Sequence, residues 1–312
     1  MRILLVRHGE PNYELDCLTD WGHRQADVAA KRLMEEGIDE IFSSPQGRAF
    51  QTAEHFSKVS GIEKITKLDF IREIRYGHED ALYDESLNPW MGVKKMIAGG
   101  ENMNVPDWRE KELFTDNTAT VDVDKIAVET DKWLKTLGYE REGLFYRKVS
   151  DDYADKTVAI FCHGGASTAF LARVLNLPFP YLCAFLFHID HTAITRIYFE
   201  SRNDSLFMPI VELASDASHL KRAAIERIKD HERKMDEATF LLKKKTLSED
   251  EAETLKELMM QLDDYLSSEA WKRDHARDEA GHLPKDLKRG VLSEDRIYNL
   301  LESYKTEGIR IR

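Results

Sequence analysis

The sequence predicts an α/β protein of three layers, a mostly parallel sheet flanked by helices, with a cap insertion and a separate C-terminal α-helical domain. Two short runs, Ile3-Leu4-Leu5-Val6 and Thr157-Val158-Ala159-Ile160-Phe161-Cys162, are apolar almost throughout, as strands buried on both faces are. Strand-like and helix-like segments alternate in short order up to residue 76, which points to βαβ units. Beyond about residue 215 the texture turns to charged helix, with apolar positions at three-and-four spacing.

The elements follow in chain order. After the strand at 3–6 comes a helix from about Trp21 to Glu36, with Ala26, Ala29, Ala30 and Leu33 at helical spacing and Gly37 as its stop. A strand at 38–42, a helix at 46–58 and an extended stretch at 67–71 succeed it. Residues 77–150 break the alternation. Trp90, Trp108, Trp133, Gly99-Gly100 and a helix-like stretch from Val123 to Leu137 suggest an insertion with small hydrophobic clusters of its own. Its tryptophans are expected to pack. The sheet resumes at 157–162, and a helix from Ala166 to Leu175 stops ahead of Pro178 and Pro180. Two further strands are expected at 193–199 and 207–213, the second antiparallel to its neighbour. His188 and His191, just ahead of the first, are expected to be structural. In the tail, Ile225, Ile228, Met235 and Leu242 mark one helix. Ser248 with Glu251 makes a capping box that opens a second, carrying Leu255, Leu258, Leu262 and Tyr265. Joined around Lys245-Thr246-Leu247, the two form an αα-hairpin. Ser293, before Glu294 and Asp295, is placed to cap a last helix.

At 312 residues the chain can hold one large domain, at 1–214, and a smaller helical one at 215–312. A net charge of −12 argues against nucleic acid as a partner, since that requires a basic footprint. An acidic chain that binds an anion must gather positive charge locally. Cys17, Cys162 and Cys183 are odd in number and fit no metal-ligand spacing, so neither a disulfide framework nor a metal site is expected. The fold begins at Met1-Arg2-Ile3 with no signal peptide, and no apolar run approaches a membrane span. The expected compartment is the cytoplasm, with no membrane contact.

The chemistry-bearing residues gather at strand ends. Arg7-His8-Gly9-Glu10 follows the first strand, and His163-Gly164-Gly165 follows the strand at 157–162. Ile41-Phe42-Ser43-Ser44-Pro45 delivers Arg48 near the start of a helix, where free N–H groups favour an anion. Open α/β sheets bind ligands at the carboxyl ends of their strands. A histidine that attacks, arginines that hold phosphate oxygens and a glycine that lets the backbone come close suit phosphoryl transfer.

These pieces, with Leu18-Thr19-Asp20-Trp21-Gly22-His23-Arg24-Gln25-Ala26, Thr52-Ala53, Ile71-Arg72-Glu73 and Gly77, occur in an order that resembles the histidine phosphatase superfamily, in its phosphoglycerate mutase-like branch. The resemblance covers roughly residues 1–213. It implies a metal-independent phosphomonoesterase acting on a small phosphorylated metabolite. His8 would be the nucleophile, forming a phosphohistidine. Arg7, Arg48, His163 and Gly164 would surround the phosphoryl group, and Glu73 would be the general acid/base. No cofactor is implied. The insertion at about 77–150 would lie over the pocket and shape what enters it. Pro11-Asn12 departs from the Thr or Ser more common after the glutamate, which leaves binding by that loop open. The alternative within enzymes is phosphoglycerate mutase-type transfer, with Arg75, Lys94, Lys95 and Arg109 as candidates to hold a second phosphate. An alternative of another class is a pseudoenzyme or adaptor that binds a protein partner, or itself, through the tail. Residues 271–301 are similar to a small bacterial helical domain of unknown function, through Trp271, Asp274 and the run Asp286-Leu287-Lys288-Arg289-Gly290-Val291-Leu292-Ser293-Glu294-Asp295. Asp274, His275, Asp278, Glu279 and His282 there are expected to be a solvated, salt-bridged surface.

Overall fold

The computed structural model describes residues 1–185, 189–201 and 206–306. The chain forms two compact units, Met1–Ala217 and Ser218–Arg312. The first unit opens with β1 (Arg2–Arg7), β2 (Pro11–Asn12), β3 (Cys17–Leu18), α1 (Asp20–Leu33), β4 (Glu40–Ser43), α2 (Gly47–Ser60) and β5 (Ile65–Lys67). A middle stretch holds β6 (Gly77–His78), β7 (Ala81–Leu82), α3 (Pro89–Ala98), α4 (Thr118–Thr136), β8 (Tyr139–Glu142) and β9 (Phe145–Lys148). Then come β10 (Thr157–Cys162), α5 (Gly164–Leu175), α6 (Phe179–Phe185), β11 (Ile194–Ser201) and β12 (Leu206–Asp216).

Eight strands form one sheet in the order β5-β4-β10-β1-β11-β12-β9-β8. Pairing is parallel from β5 through β4 and β10 to β1, and antiparallel from β1 onward. The unbroken apolar run of β1 has a physical reason. Leu4 and Val6 pack on one face with Ala30 and Leu33 of α1 and Ala53 and Phe56 of α2. Ile3 and Leu5 pack on the other with Ile126 and Trp133 of α4 and Phe170 of α5. Each such buried side chain stabilises the fold by about 1.5–3 kcal/mol, so β1 has no face on which a polar residue could stand cheaply. Among the described residues no helix is long and apolar enough to cross a membrane.

Local differences from the sequence reading have local causes. Asn117 caps α4 by accepting from the Ala119 N–H, so that helix starts five residues before Val123. The stretch expected to be extended at 67–71 is a strand only to Lys67, followed by a single turn of 3₁₀ helix at Asp69–Ile71. Residues 77–150 carry no separate clusters: Val93, Trp108, Phe114, Trp133, Tyr139 and Tyr146 belong to the same core as Ile3 and Leu5. The hairpin β8–β9 extends the main sheet through β9 beside β12.

The second unit contains α7 (Ser218–Leu242), α8 (Glu249–Leu266), α9 (Glu269–Glu279) and α10 (Glu294–Thr306). Ser248 and Glu251 form the capping box at the start of α8, and Ser268 caps α9. Leu255, Leu258, Met259 and Leu262 turn one face of α8 inward. Asp274 corrects one expectation. It is fully buried, and it accepts from Arg227 at 2.7 and 2.8 Å and from the Tyr265 hydroxyl at 2.9 Å. Asp278 instead pairs with Arg289, and His275 stacks on Trp271. That acidic and histidine run is therefore split between core and surface.

Candidate active site

Register brings the reactive groups together. β1 and β10 pair from Arg2↔Thr157 to Arg7↔Cys162, so His8 and His163 leave neighbouring strands one step later. Their rings meet edge to face, 5.1 Å between centroids. β4 lies on the far side of β10, paired through Phe161↔Ser43. The residue after that pair, Ser44, places its Oγ 2.9 Å from His163 Nε2. α2 starts three residues later and points Arg48 Nε at His8 Nε2, 3.4 Å away.

The hydrogen bonds assign the protons. His8 Nδ1 lies 2.6 Å from the Gly9 carbonyl oxygen. A carbonyl only accepts, so Nδ1 carries the hydrogen and Nε2 keeps its lone pair. Burial, opposed by the Gly9 bond and reinforced by the charges of Arg7 and Arg48, holds His8 well below the usual histidine range. The ring is neutral, and its Nε2, which accepts from Arg48 Nε, faces the cluster. His163 is fully buried and is also held well below that range, by burial first and then by His8, Arg48 and Arg7. Ser44 Oγ accepts the Gln46 N–H at 3.3 Å and still has both a proton and a lone pair to offer His163 Nε2. When Ser44 donates, His163 Nδ1 carries a hydrogen. It is buried without a hydrogen-bond partner in the protein, and Arg7 Nε is in the same condition. Two buried nitrogens without protein partners, beside the buried His8 imidazole and Arg48 guanidinium, are what an oxyanion would satisfy.

Glu73 completes the constellation. Its Oε1 accepts from the N–H groups of Ile74 and Ala166, each at 3.0 Å, the latter at the start of α5. Its own N–H donates to Gln46 Oε1 at 2.7 Å. Burial raises its pKa despite those bonds and despite the charge of Arg7. A carboxyl so placed holds its proton longer than a solvated glutamate. Arg7, His8, Arg48, Glu73 and His163 thus lie in one connected cluster. The two glycines differ. A Cβ on Gly164 would meet only Arg7 Nε, at 3.8 Å, so space there is open. A Cβ on Gly165 would fall 2.6 Å from Glu73 Oε1 and 2.9 Å from Trp90, so that glycine serves protein packing.

Several residues support the site in roles the sequence reading did not assign. Asp16 accepts from Arg48 through Oδ1 and from the Gly47 N–H through Oδ2 at 2.8 Å, which fixes the guanidinium. Thr52 accepts from the Gly9 N–H at 3.1 Å and donates to the Arg48 carbonyl at 2.8 Å, tying α2 to the loop after β1. Gln25 accepts from the Glu10 N–H at 2.7 Å. Asn12 turns its Oδ1 to the N–H groups of Glu14 and Leu15, within its own loop. His191 lies nearer the centre than a purely structural role suggests, 5.7 Å from the His8 ring. His188 lies outside the described residues. A cavity of ≈ 650 Å³ opens from Arg48 and Glu73, walled by Tyr13, Tyr76, Tyr83 and Trp90. Trp108 and Trp133 pack in the core as expected, but Trp90 is only half-buried and faces this cavity.

Residues 3–111 match the histidine phosphatase superfamily (branch 1), and residues 228–310 match a domain of unknown function (DUF4298). Among curated proteins, "Probable phosphoglycerate mutase GpmB" of Yersinia enterocolitica is 32% identical over 120 residues, which cover 34% of this chain. The chain spans 54% of that relative's length. A phosphoserine phosphatase of Entamoeba histolytica, solved with phosphoserine, superposes with a TM-score of 0.49 at 21% identity, covering 70% of this chain and 98% of that one. A mycobacterial glucosyl-3-phosphoglycerate phosphatase solved with inorganic phosphate gives 0.49 at 19% identity, over 70% and 98%. The first unit is thus similar, over residues 3–111, to the histidine phosphatase superfamily (branch 1), and the second unit, over residues 228–310, to the domain of unknown function.

Proposed function

We propose that the first unit is a metal-independent phosphomonoesterase that works through a phosphohistidine on His8. One observation carries the proposal: His8 presents a neutral Nε2 lone pair, with its proton fixed on the Gly9 side, inside a cluster whose Arg7 Nε and His163 Nδ1 have no hydrogen-bond partner in the protein. Phosphoryl transfer depends chiefly on positioning and on stabilising the equatorial oxygens. Arg7, Arg48 and His163 offer those donors without a cation from outside.

In the first step His8 Nε2 forms a bond to phosphorus as the ester P–O bond breaks, and Glu73 gives its proton to the departing alkoxide. In the second, water attacks phosphorus as the P–N bond to His8 Nε2 breaks, Glu73 takes a proton from that water, and inorganic phosphate leaves. A mutase would return the phosphoryl group to a second hydroxyl and would need cations to hold a second phosphate. Of the candidates, Arg75 is already tied to Asp122 at 2.7 and 2.9 Å, and Arg109 is paired with Asp124. That engagement, at two of the four candidates, is the ground on which we propose hydrolysis over transfer.

The test measures free phosphate release and 2-/3-phosphoglycerate interconversion side by side, in chelator, for the wild type and His8→Ala. Hydrolysis and an acid-labile, base-stable phosphoenzyme in the wild type alone are expected. Interconversion without net phosphate release would replace the hydrolase by a mutase, and full turnover by His8→Ala would remove the nucleophile.

A further inference from the structure

We infer that the site takes phosphomonoesters whose leaving alcohol is uncharged and carries a planar apolar ring; this rests on the monoesterase reading above. The argument starts from the wall of the cavity. Tyr76 meets Tyr83 edge to face at 5.4 Å and Trp90 at 6.3 Å, and Trp90 meets Phe179 at 6.5 Å. The Tyr76 hydroxyl donates to Glu85 at 2.6 Å, which fixes the ring. Across the opening, Tyr13 lies against the Arg48 guanidinium, 5.4 Å from its ring centroid. Aromatic rings held in mutual edge-to-face contact are already oriented, so a ligand ring that joins them pays little further ordering cost.

Charge excludes the alternative class. Among the described lining residues Arg48 is the cation, and Asp16 already pairs with it. The remaining charged wall group is Glu73. A carboxylate or second phosphate on the substrate would therefore sit beside acids and rings with no cation to receive it. A neighbouring cavity of ≈ 420 Å³ does contain Arg72, Arg75 and Lys125. Each of these stands within ion-pair distance of Asp69 or Asp122, so the two carboxylates already match most of that positive charge. The volume of the first cavity falls in the range that encloses a small-molecule ligand and exceeds what a three-carbon acid would fill.

The test compares kcat/KM for 2-phenylethyl phosphate, ethyl phosphate and 3-phosphoglycerate on the full chain. The first two leave as primary alcohols of similar basicity, so their ratio reports the ring and not the ease of bond cleavage. A ratio of about tenfold or more in favour of the phenylethyl ester is expected, with 3-phosphoglycerate the poorest of the three. Trp90→Ala should lower that ratio. Because Trp90 also packs against Phe179, Tyr83→Asn gives a second reading: Tyr83 is 54% exposed at a φ of 63°, which asparagine tolerates. It should lower the ratio too. Turnover of all three with a ratio near one, or preference for 3-phosphoglycerate, overturns the ring assignment and leaves the monoesterase standing. A ratio unmoved in both variants overturns it equally. Release of phosphate from none of them overturns the monoesterase and the ring assignment together.

Discussion

Glu73→Gln isolates the proton from everything else the side chain does. Glu73 Oε1 accepts from Ile74 and Ala166, and a glutamine amide oxygen can keep both bonds. The substitution changes shape little and removes only the transferable hydrogen. General acid catalysis is worth about 10²–10⁴ in rate, or ~2.7–5.5 kcal/mol of barrier. An alkyl phosphate needs the whole of it, because its alkoxide is a poor leaving group. A 4-nitrophenyl ester leaves as a stabilised phenolate and needs little. The variant should lose about 100-fold or more in kcat/KM on ethyl phosphate and less than about tenfold on 4-nitrophenyl phosphate. That parameter is the right one: it reports steps only up to the first irreversible one, so the later role of Glu73 with water does not enter. The pH profile supplies an independent sign. Turnover needs His8 neutral and Glu73 protonated. His8 is lowered from 6.5 and Glu73 is raised from 4.5, so the acid limb lies below the usual histidine range and the basic limb above the usual carboxylate range. The variant should lose the basic limb contributed by Glu73, while the ionisation of the ester itself is common to both proteins. Equal losses on the two esters, or superimposable pH profiles, would refute the assignment.

Two further perturbations test the supports. Gly165→Ala places a methyl 2.6 Å from both Glu73 Oε1 and Ile74 Cγ1, so the carboxyl must move. Overpacking of this kind costs about 1–3 kcal/mol; thermal unfolding should show it, and the alkyl-selective loss of Glu73→Gln should reappear. An unshifted melting temperature with full activity on ethyl phosphate would contradict the packing argument. Asp16→Asn keeps a residue that accepts the φ of 47° at this position but removes the charge that orients Arg48. A hydrogen bond to a charged group is worth about 1.5–3 kcal/mol, and at 42% side-chain exposure the lower end applies. KM for any monoester should rise about tenfold, and inhibition by inorganic phosphate should weaken in parallel. A loss of stability with unchanged KM and phosphate inhibition would make Asp16 merely structural.

The part of the site that the sequence made legible is the part carried by strand ends. Arg7, His8 and His163 follow apolar runs so uniform that only a doubly buried strand accommodates them, and parallel register does the rest. Arg48 was legible because Pro45, Gln46 and Gly47 mark a helix start directly behind a strand. The supports were not, because their partners are distant in the chain and leave no periodic trace. Asp16 lies in the loop ahead of β3, where an aspartate reads as an ordinary turn residue, yet it meets Arg48 thirty-two positions away. Ser44 stood inside a recognised motif, but nothing in Ser43-Ser44-Pro45 says which hydroxyl faces His163, since that depends on β4 lying beside β10.

The middle stretch shows the same limit with a different cause. Tyr139-Glu140-Arg141-Glu142 and Phe145-Tyr146-Arg147-Lys148 are heavily charged, and the helical pattern before them draws them into an insertion. A hairpin signal was present: Gly143 takes a φ of 61° at the turn, and Tyr139 and Tyr146 are fully buried while Glu142 and Arg147 are exposed. The charges line the outer edge of the sheet, where a strand needs them to discourage pairing with another chain. Arg141 is not free to serve a ligand, because it bonds the Tyr146 hydroxyl, Asn176 and the Arg173 carbonyl, and Arg173 in turn pairs with Asp131. That network holds α4, the hairpin and α5 together. It fixes the helix whose first turn carries the Ala166 N–H to Glu73. The edge of the sheet and the proton donor are therefore linked through α5, and the charged hairpin contributes to the site by holding its frame, not by touching the substrate.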